Sequence, residues 1–220
     1  MTSFRNSPRL LKGGIALLDP GTSVVQQIIA LQYNPESLSR TLQVQAVGEG
    51  GDRSEALRIK GPAVETLKLD AEIDATDQLE YPTENRDAAT LGIFPQLAAL
   101  ESLVYPTSDA LLSNQALAAR GTLEIAPMES PLSLFIWSKN RILPVRVTDF
   151  SATEEAFDPS LNPIRAKVSL GMRVLSVDDL GFDHTGGSLF MSYLQNKEGL
   201  ARKAPRATLT TLGITQGDLQ

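Results

Sequence analysis

The sequence predicts a mainly-β fold: a small antiparallel β-barrel or sandwich with one flanking α-helix and a C-terminal arm. Two stretches of alternating apolar and polar residues support this prediction, because successive side chains of a strand point to opposite faces of a sheet. Residues 67–74 read LKLDAEID, and residues 164–174 read IRAKVSLGMRV. The second stretch is longer than most strands of globular proteins. It predicts a tall barrel wall, or a strand that extends beyond its own sheet.

Further strands are predicted where apolar and β-branched residues lie between turn-forming residues. Asn34-Pro35 and Asp158-Pro159 are two of these turn signals. The weaker strands are expected at residues 24–33, 41–47, 121–126, 132–138 and 142–150.

One segment has helical spacing. Phe94, Leu97, Leu100 and Val104 recur every three or four residues, which predicts an amphipathic helix that ends near Tyr105. Residues 109–120 are interpreted as a second short helix or a loop. After residue 180 the alternation stops: residues 181–187 read as a linker, 188–200 as a helix, and 202–220 as extended or disordered. We therefore expect a barrel domain at residues 1–180 and an arm at residues 181–220.

Composition narrows the possible functions. The 220 residues contain no cysteine, which excludes disulfides and thiolate metal sites. The net charge of −6 argues against a general nucleic-acid-binding surface, although Arg202, Lys203 and Arg206 make the C-terminal arm locally basic. The sequence contains no apolar run as long as a membrane-spanning helix requires.

Candidate catalytic residues are few. The single histidine, His184, lies in the predicted linker and is interpreted as a solvated loop residue, because a catalytic or metal-binding imidazole needs rigid partners. The adjacent acids at 154–155 and 178–179 would point to opposite faces of a strand, so neither is a natural acid–base pair. The chain is therefore predicted not to be an enzyme and to need no cofactor.

Three other motifs have a binding interpretation beside a structural one. The acidic series Asp70, Glu72, Asp74 and Asp77 resembles half of a calcium loop, but alternation favours the solvated face of a strand. Trp137 could stack on a sugar or a base, although its apolar neighbours favour core packing. A glycine-rich loop lacks the lysine of a phosphate loop and is interpreted as a flexible connection; it consists of Gly48, Glu49, Gly50, Gly51 and Asp52.

Several segments, in order, resemble the tube-protein family of contractile injection systems, which is related to phage tail tubes and type VI secretion rings. Residues 31–40 (LQYNPESLSR) are similar to the family's strand, F-N-P-like turn and Ser/Arg-bearing strand, with Tyr33 in place of the commoner Phe. Residues 61–70 (GPAVETLKLD) resemble its G-x-x-x-E-T-L entry to a strand. The helix near 93–105, the strand ending near Trp137, the turn at Phe157 and the long strand near 165–175 follow in the family's order.

The resemblance implies a barrel of tail-tube type, of which six copies form a hexameric ring around a lumen for cargo. The chain would then be a structural subunit of the inner tube or of its baseplate-proximal initiator. Its partners would be further copies and neighbouring tube, spike or hub, baseplate or sheath proteins, with no nucleic acid and no direct membrane insertion. The particle would be assembled in the bacterial cytoplasm and then released or anchored to a membrane such as the thylakoid.

A ring of this kind needs contact residues between neighbouring copies. We expect strand 164–174 to overhang the barrel and to pair with a neighbour, since an open strand edge favours such pairing. Arg165, Lys167 and Arg173 of this strand, together with the loop at residues 48–52, are the predicted inter-subunit or ring-stacking residues. Three alternatives remain open: a carbohydrate- or ligand-binding barrel that uses Trp137, an enzyme centred on His184 and acidic strand residues, and a tube-terminal cap.

Overall fold

The structure is a computed structural model that describes residues 10–19, 21–46, 58–120 and 130–219. Its seven strands form one antiparallel sheet in the order β2-β1-β5-β6-β7-β4-β3. The prediction of a mainly-β antiparallel fold is confirmed. The strands are β1 (Gly14–Leu18), β2 (Val25–Ala30), β3 (Leu38–Gln43), β4 (Val64–Asp74), β5 (Leu132–Ser138), β6 (Arg141–Phe157) and β7 (Pro163–Val174).

The helices follow β4 and β7. They are α1 (Thr76–Leu79), α2 (Arg86–Leu91), α3 (Phe94–Glu101), α4 (Ser108–Ala119), α5 (Val177–Leu180) and α6 (Thr185–Ala201), and two short 3₁₀ helices follow at Leu209–Leu212 and Gln216–Leu219. The predicted helix is α3, although it ends before Tyr105. The segment interpreted as a helix or a loop is helix α4, which Thr107 caps by accepting a hydrogen bond from the Ala110 N–H.

The 17-residue strand β6 joins two parts of the sheet. Its first residues pair with β5, as far as Val145 opposite Ser133, whereas its remaining residues pair with β7, from Val145 opposite Val174 to Phe157 opposite Pro163. The register shifts between Val147 and Asp149, and such a β-bulge bends the strand where the partner changes. β6 therefore belongs to both halves of the sheet.

The two halves share one apolar core. Ile15, Phe135 and Leu143 of the first half belong to the same buried cluster as Leu67 and Leu170 of the second. Helix α3 adds Leu97 and Leu100 to this cluster, and α6 adds Phe190 and Tyr193. The first part of the predicted C-terminal arm is thus packed against the sheet. The division of the chain at residue 180 remains a prediction.

Two side-chain amides complete the hydrogen bonding near the open edge of β2. Gln32 donates from Nε2 to the Asp74 carbonyl at 2.6 Å and accepts from the Asp74 N–H at 2.9 Å. Asn34 accepts from the Gly13 N–H at 2.9 Å and donates to the Leu11 carbonyl at 2.8 Å. Because β3 pairs with β4 only as far as Leu69, Gln32 links the end of β4 to the turn after β2 in place of a strand.

Several predicted boundaries differ from the structure. β3 lies at Leu38–Gln43, not at residues 41–47, and α6 begins at Thr185, inside the predicted linker. β1 was not predicted, because all five of its residues are buried and its GIALL sequence shows no alternation. Gly14 is required there, since a Cβ atom would lie 2.5 Å from the Ile29 carbonyl oxygen of β2. The strand predicted at 121–126 lies outside the described residues.

Candidate functional site

The main candidate surface is the edge of β6 beyond the residues that pair with β5. β5 covers β6 only as far as Val145, so from Arg146 to Phe157 β6 has a described strand partner only on the β7 side. Most side chains of this stretch are exposed. An edge of this length presents backbone groups that another strand can pair with.

The prediction that β7 overhangs the barrel is wrong. β7 pairs with β4 from Arg165 to Arg173 and with β6 along the same residues. Alternation in residues 164–174 reflects one buried face and one polar face, which an inner strand shows as clearly as an edge strand. The open edge belongs to β6, whose second half (TDFSATEEAF) does not alternate in sequence.

Hydrogen bonds at both ends of β7 show which residues of β6 face the open side. The Leu175 N–H donates to the Pro144 carbonyl, whereas the Ala75 N–H donates to the Ile164 carbonyl. Odd-numbered residues of β7 therefore face β6 and even-numbered ones face β4. Ser151 lies opposite Ser169 and Thr153 opposite Lys167, so both bond to β7. Ala152, between them, directs its N–H and C=O outward.

The polar face of β6, β7 and β4 carries rows of opposed charges. Glu155, Arg165 and Asp74 lie side by side in one row, and Thr153, Lys167 and Glu72 in the next. Arg165 Nε lies 2.8 Å from Asp74 Oδ2, and Lys167 Nζ lies 3.5 Å from Glu155 Oε1. Arg173, on the same strand, lies 2.7 Å from Asp179 Oδ1 of α5.

Arg165, Lys167 and Arg173 thus have acidic partners within the chain. Their predicted role between subunits remains a prediction, and the other predicted contact residues, at 48–52, lie outside the described residues. Partial burial opposes ionisation of Asp74, but hydrogen bonds from Thr76 and Arg165 outweigh it and hold the pKa of Asp74 below its ordinary value.

The turn between β6 and β7 is held rigidly. Asp158 Oδ1 accepts from the N–H groups of Ser160 and Asn162 at 2.7 and 2.8 Å, and Asp158 Oδ2 accepts from Asn162 Nδ2 at 2.7 Å. These hydrogen bonds hold the pKa of Asp158 below its ordinary value. Leu161 has a φ of 65°, a conformation that Gly adopts freely and that L-residues other than Asn and Asp rarely adopt. The turn therefore fixes the far end of the open edge.

A buried carboxylate joins β3, β4 and α6. Glu65 is 3% exposed; its Oε1 lies 3.6 Å from Arg40 Nε, and its Oε2 lies 3.8 Å from Lys197 Nζ. The Tyr193 hydroxyl donates to Glu65 Oε1 at 3.3 Å, and burial, followed by the charge of Glu65, raises the pKa of Tyr193. Arg40 and Glu65, which come from two of the family-like motifs, meet here.

The remaining candidate residues have structural roles. His184 caps α6: its Nδ1 accepts from the Gly186 N–H at 3.0 Å, so it is a helix cap and not a solvated loop residue. Trp137 is half-buried and stacks on Phe135, with ring centroids 5.9 Å apart. Asp179 lies in α5, not in a strand, and accepts from the Ser176 N–H.

The described residues lack two kinds of feature. In this part of the chain, no three His, Cys, Asp or Glu side chains are grouped so that they could hold a metal ion. None of its helices combines the length and the apolar character needed to cross a membrane.

Sequence reasoning missed three features. They are the open edge of β6, the two hydrogen bonds between Gln32 and the Asp74 backbone (the Gln32 clamp), and the contacts of buried Glu65 with Arg40, Tyr193 and Lys197 (the Glu65 cluster). Glu65 has a sequence signal: it breaks the alternation of 64–74 by placing an acid at a buried position of the strand. The Gln32 clamp and the end of β5 carry no signal of this kind.

No family model matches the chain, and no curated protein matches it significantly. Two solved structures align with 74% of this chain and 90% of theirs. One is the tail of an empty gene transfer agent particle with C6 symmetry, at 13% identity and a TM-score of 0.29. The other is the virion of a native gene transfer agent particle, at 12% identity and a TM-score of 0.26. Both the identities and the TM-scores are too low for either match to indicate a function for this chain.

Proposed function

We propose that the chain is a non-catalytic structural subunit of a phage-tail-like contractile injection system. It forms a hexameric ring of the inner tube, or of the initiator next to the baseplate, around a lumen for cargo. The particle is assembled in the bacterial cytoplasm. The open edge of β6 from Arg146 to Phe157 is the observation on which the proposal depends.

Edge pairing between copies has a direct physical cause. The outward backbone groups of β6 gain hydrogen bonds when a strand of a second copy lies beside them. Because β6 is one edge and β2 and β3 are the end strands of the sheet, pairing of β6 with a different edge of the next copy is heterologous. Heterologous contacts close into rings when the rotation between copies allows it.

The motif resemblance suggests which kind of ring this is. Residues of the family-like motifs have structural roles in the fold: Gln32 and Asn34 bond to backbone groups, and Arg40 pairs with Glu65. The carbohydrate-binding alternative receives less support, because Trp137 packs on Phe135 and on the core cluster instead of lying free in a groove.

A proline at Ala152 tests the proposal. Ala152 directs its N–H outward, so Ala152→Pro removes a donor of the open edge while the hydrogen bonds to β7 remain. We expect wild-type protein to form rings or tubes in electron micrographs, and Ala152→Pro to give folded monomers. Ala152→Thr, which keeps the N–H, is the matched control and should form rings.

Two results would contradict the proposal. One is a wild-type chain that stays monomeric at high concentration. The other is an Ala152→Pro chain that forms rings as the wild type does. Circular dichroism and thermal unfolding of each variant show whether a loss of rings reflects a loss of folding.

A further inference from the structure

An apolar groove lies beside the edge strand β2. It is bounded by residues 28–32, by residues 71–73 of β4 and by one face of α3, and its volume is about 210 Å³. Apolar side chains dominate the lining, among them Ile28, which is 71% exposed, and Leu100. β2 pairs with β1 alone among the described strands, so one wall of the groove is an open strand edge.

The groove has polar features that indicate what it accepts. Gln96 lines it, and the Gln96 Oε1 is buried without a hydrogen-bond partner in the described part of the chain. A buried acceptor of this kind gains free energy when an N–H group reaches it. Glu72 also lines the groove; it lies opposite Lys167 in the sheet but forms no ion pair with a described residue. Glu101 is not in the lining but follows the lining residue Leu100 in α3, and it has no ion-pair partner in the described part of the chain either.

The chain contains a segment of matching chemistry. None of residues 202–219 is buried. Arg202, Lys203 and Arg206 have no ion-pair partner among the described residues, and Leu212 and Leu219 downstream are 70% and 59% exposed. Basic side chains followed by apolar ones match an apolar groove that has Glu72 in its lining and Glu101 next to it in sequence.

The start of this segment and the groove lie at opposite ends of β4. Helix α6, which the segment follows, reaches Glu65 at the start of β4 through Lys197. The groove is lined by residues near the end of β4. The 11 residues of β4 span about 36 Å at about 3.3 Å per residue. The segment of one copy is therefore placed to meet the groove of a copy stacked end to end with it.

We propose that residues 202–219 of one copy bind the β2–α3 groove of a second copy and so join successive rings. The arginine and lysine side chains lie against Glu72 and Glu101, the apolar side chains enter the groove, and a backbone N–H of the segment donates to Gln96. This inference builds on the proposed ring and adds the contact that stacks one ring on the next.

A labelled peptide of residues 202–219 tests the inference by fluorescence anisotropy. The acceptor is the full chain carrying Arg202→Glu, Lys203→Glu and Arg206→Glu, so that its own arm does not compete. We expect saturable binding that weakens as salt rises, because ions screen exposed charges. Two acceptor variants should weaken binding at least about tenfold: the double variant Glu72→Lys with Glu101→Lys, and Ile28→Asp alone. The first removes an attraction between charges and the second an apolar contact, and a tenfold change corresponds to about 1.4 kcal/mol.

The matched control changes two acids away from the groove, Asp109→Lys and Glu198→Lys, and should leave binding unchanged. Three outcomes would overturn the inference: no binding, binding unaffected by the groove substitutions, or an equal loss in the control. The arm could instead fold back into the groove of its own chain. The unmodified chain would then be a monomer that binds the labelled peptide poorly, and this outcome would also overturn the inference.

The peptide experiment is separate from the test of the ring. A chain that binds the peptide but forms no rings would contradict the proposed function and leave the docking site standing. A chain that forms rings but does not bind the peptide would contradict the docking site alone.

Discussion

At the residue scale, Glu65 carries a charge that the fold buries between two cations. Glu65→Gln keeps the volume but removes the counterion of Arg40 and Lys197. Because these cations are about a third exposed and can regain water, we expect a loss of about 1–3 kcal/mol in the free energy of unfolding, measured with urea. Glu72→Gln, at an exposed position, should change stability by less than about 0.5 kcal/mol. Equal effects of the two substitutions would contradict a role for the buried cluster.

Tyr193 gives the same cluster a dependence on pH. Burial, and next the charge of Glu65, raise the pKa of the Tyr193 hydroxyl above its ordinary value of 10.0. The folded state therefore favours the neutral hydroxyl, so its contribution to stability is complete below about pH 10 and is lost as the pH rises through the folded-state pKa. The free energy of unfolding can be measured from about pH 8 to about pH 11, the range that includes the ionisation of tyrosine. We expect it to fall more steeply with rising pH for wild type than for Tyr193→Phe. Parallel curves would show that Tyr193 does not contribute.

At the element scale, the Gln32 clamp replaces a strand at the end of β4. Gln32→Ala removes both hydrogen bonds to the Asp74 backbone. We expect a loss of about 1–2 kcal/mol, because the freed backbone groups are partly exposed and can bind water. Gln27→Ala, in the neighbouring strand β2, makes a suitable control, since the Gln27 side chain is exposed and has no hydrogen-bond partner among the described residues. A clamp variant as stable as the control would show that the sheet holds this edge without Gln32.

The turn after β6 contains a leucine in a costly conformation. Leu161 is 76% exposed and has a φ of 65°, which costs a non-glycine L-residue about 1–2 kcal/mol, although asparagine tolerates it better. Leu161→Asn should therefore raise the free energy of unfolding, measured by thermal unfolding, by about 0.5–1 kcal/mol. Leu212→Asn, at a similarly exposed leucine without a positive φ, should leave it unchanged. A destabilised Leu161→Asn chain would instead indicate an apolar contact at the turn.

At the scale of the whole molecule, two truncations measure how much of the C-terminal region belongs to the folded core of the sheet. A chain that ends at residue 180 loses Phe190 and Tyr193 from the core cluster. Since removing one buried aromatic side chain costs about 3–5 kcal/mol, we expect this chain to be largely unfolded. A chain that ends at Ala201 should unfold at the wild-type temperature, because none of residues 202–219 is buried. A stable chain of residues 1–180 would support the domain boundary predicted from the sequence.

Strands with a repeating pattern of apolar and polar residues could be predicted from the sequence alone. Alternation in 67–74 and 164–174 requires one apolar and one polar face, so most of β4 and β7 follows from local side-chain chemistry. The same reasoning finds β5, whose apolar residues end at the turn before Arg141. The same reasoning does not predict β1, because both faces of this strand are buried and its sequence therefore does not alternate.

Only the tertiary structure decided which strand lies at an edge. Whether a strand is central depends on where its neighbours end: β5 stops opposite Val145, and β3 stops opposite Leu69. The end of β5 leaves β6 open, and the end of β3 leaves the last residues of β4 without a partner on that side. β7 is an inner strand because β4 and β6 both pair along it, although β7 has the stronger pattern. Likewise, Arg40 and Glu65 lie on different strands, and packing of α6 brings Lys197 and Tyr193 to them. Alternation records which face of a strand is buried, whereas pairing and assembly depend on contacts between residues far apart in the chain.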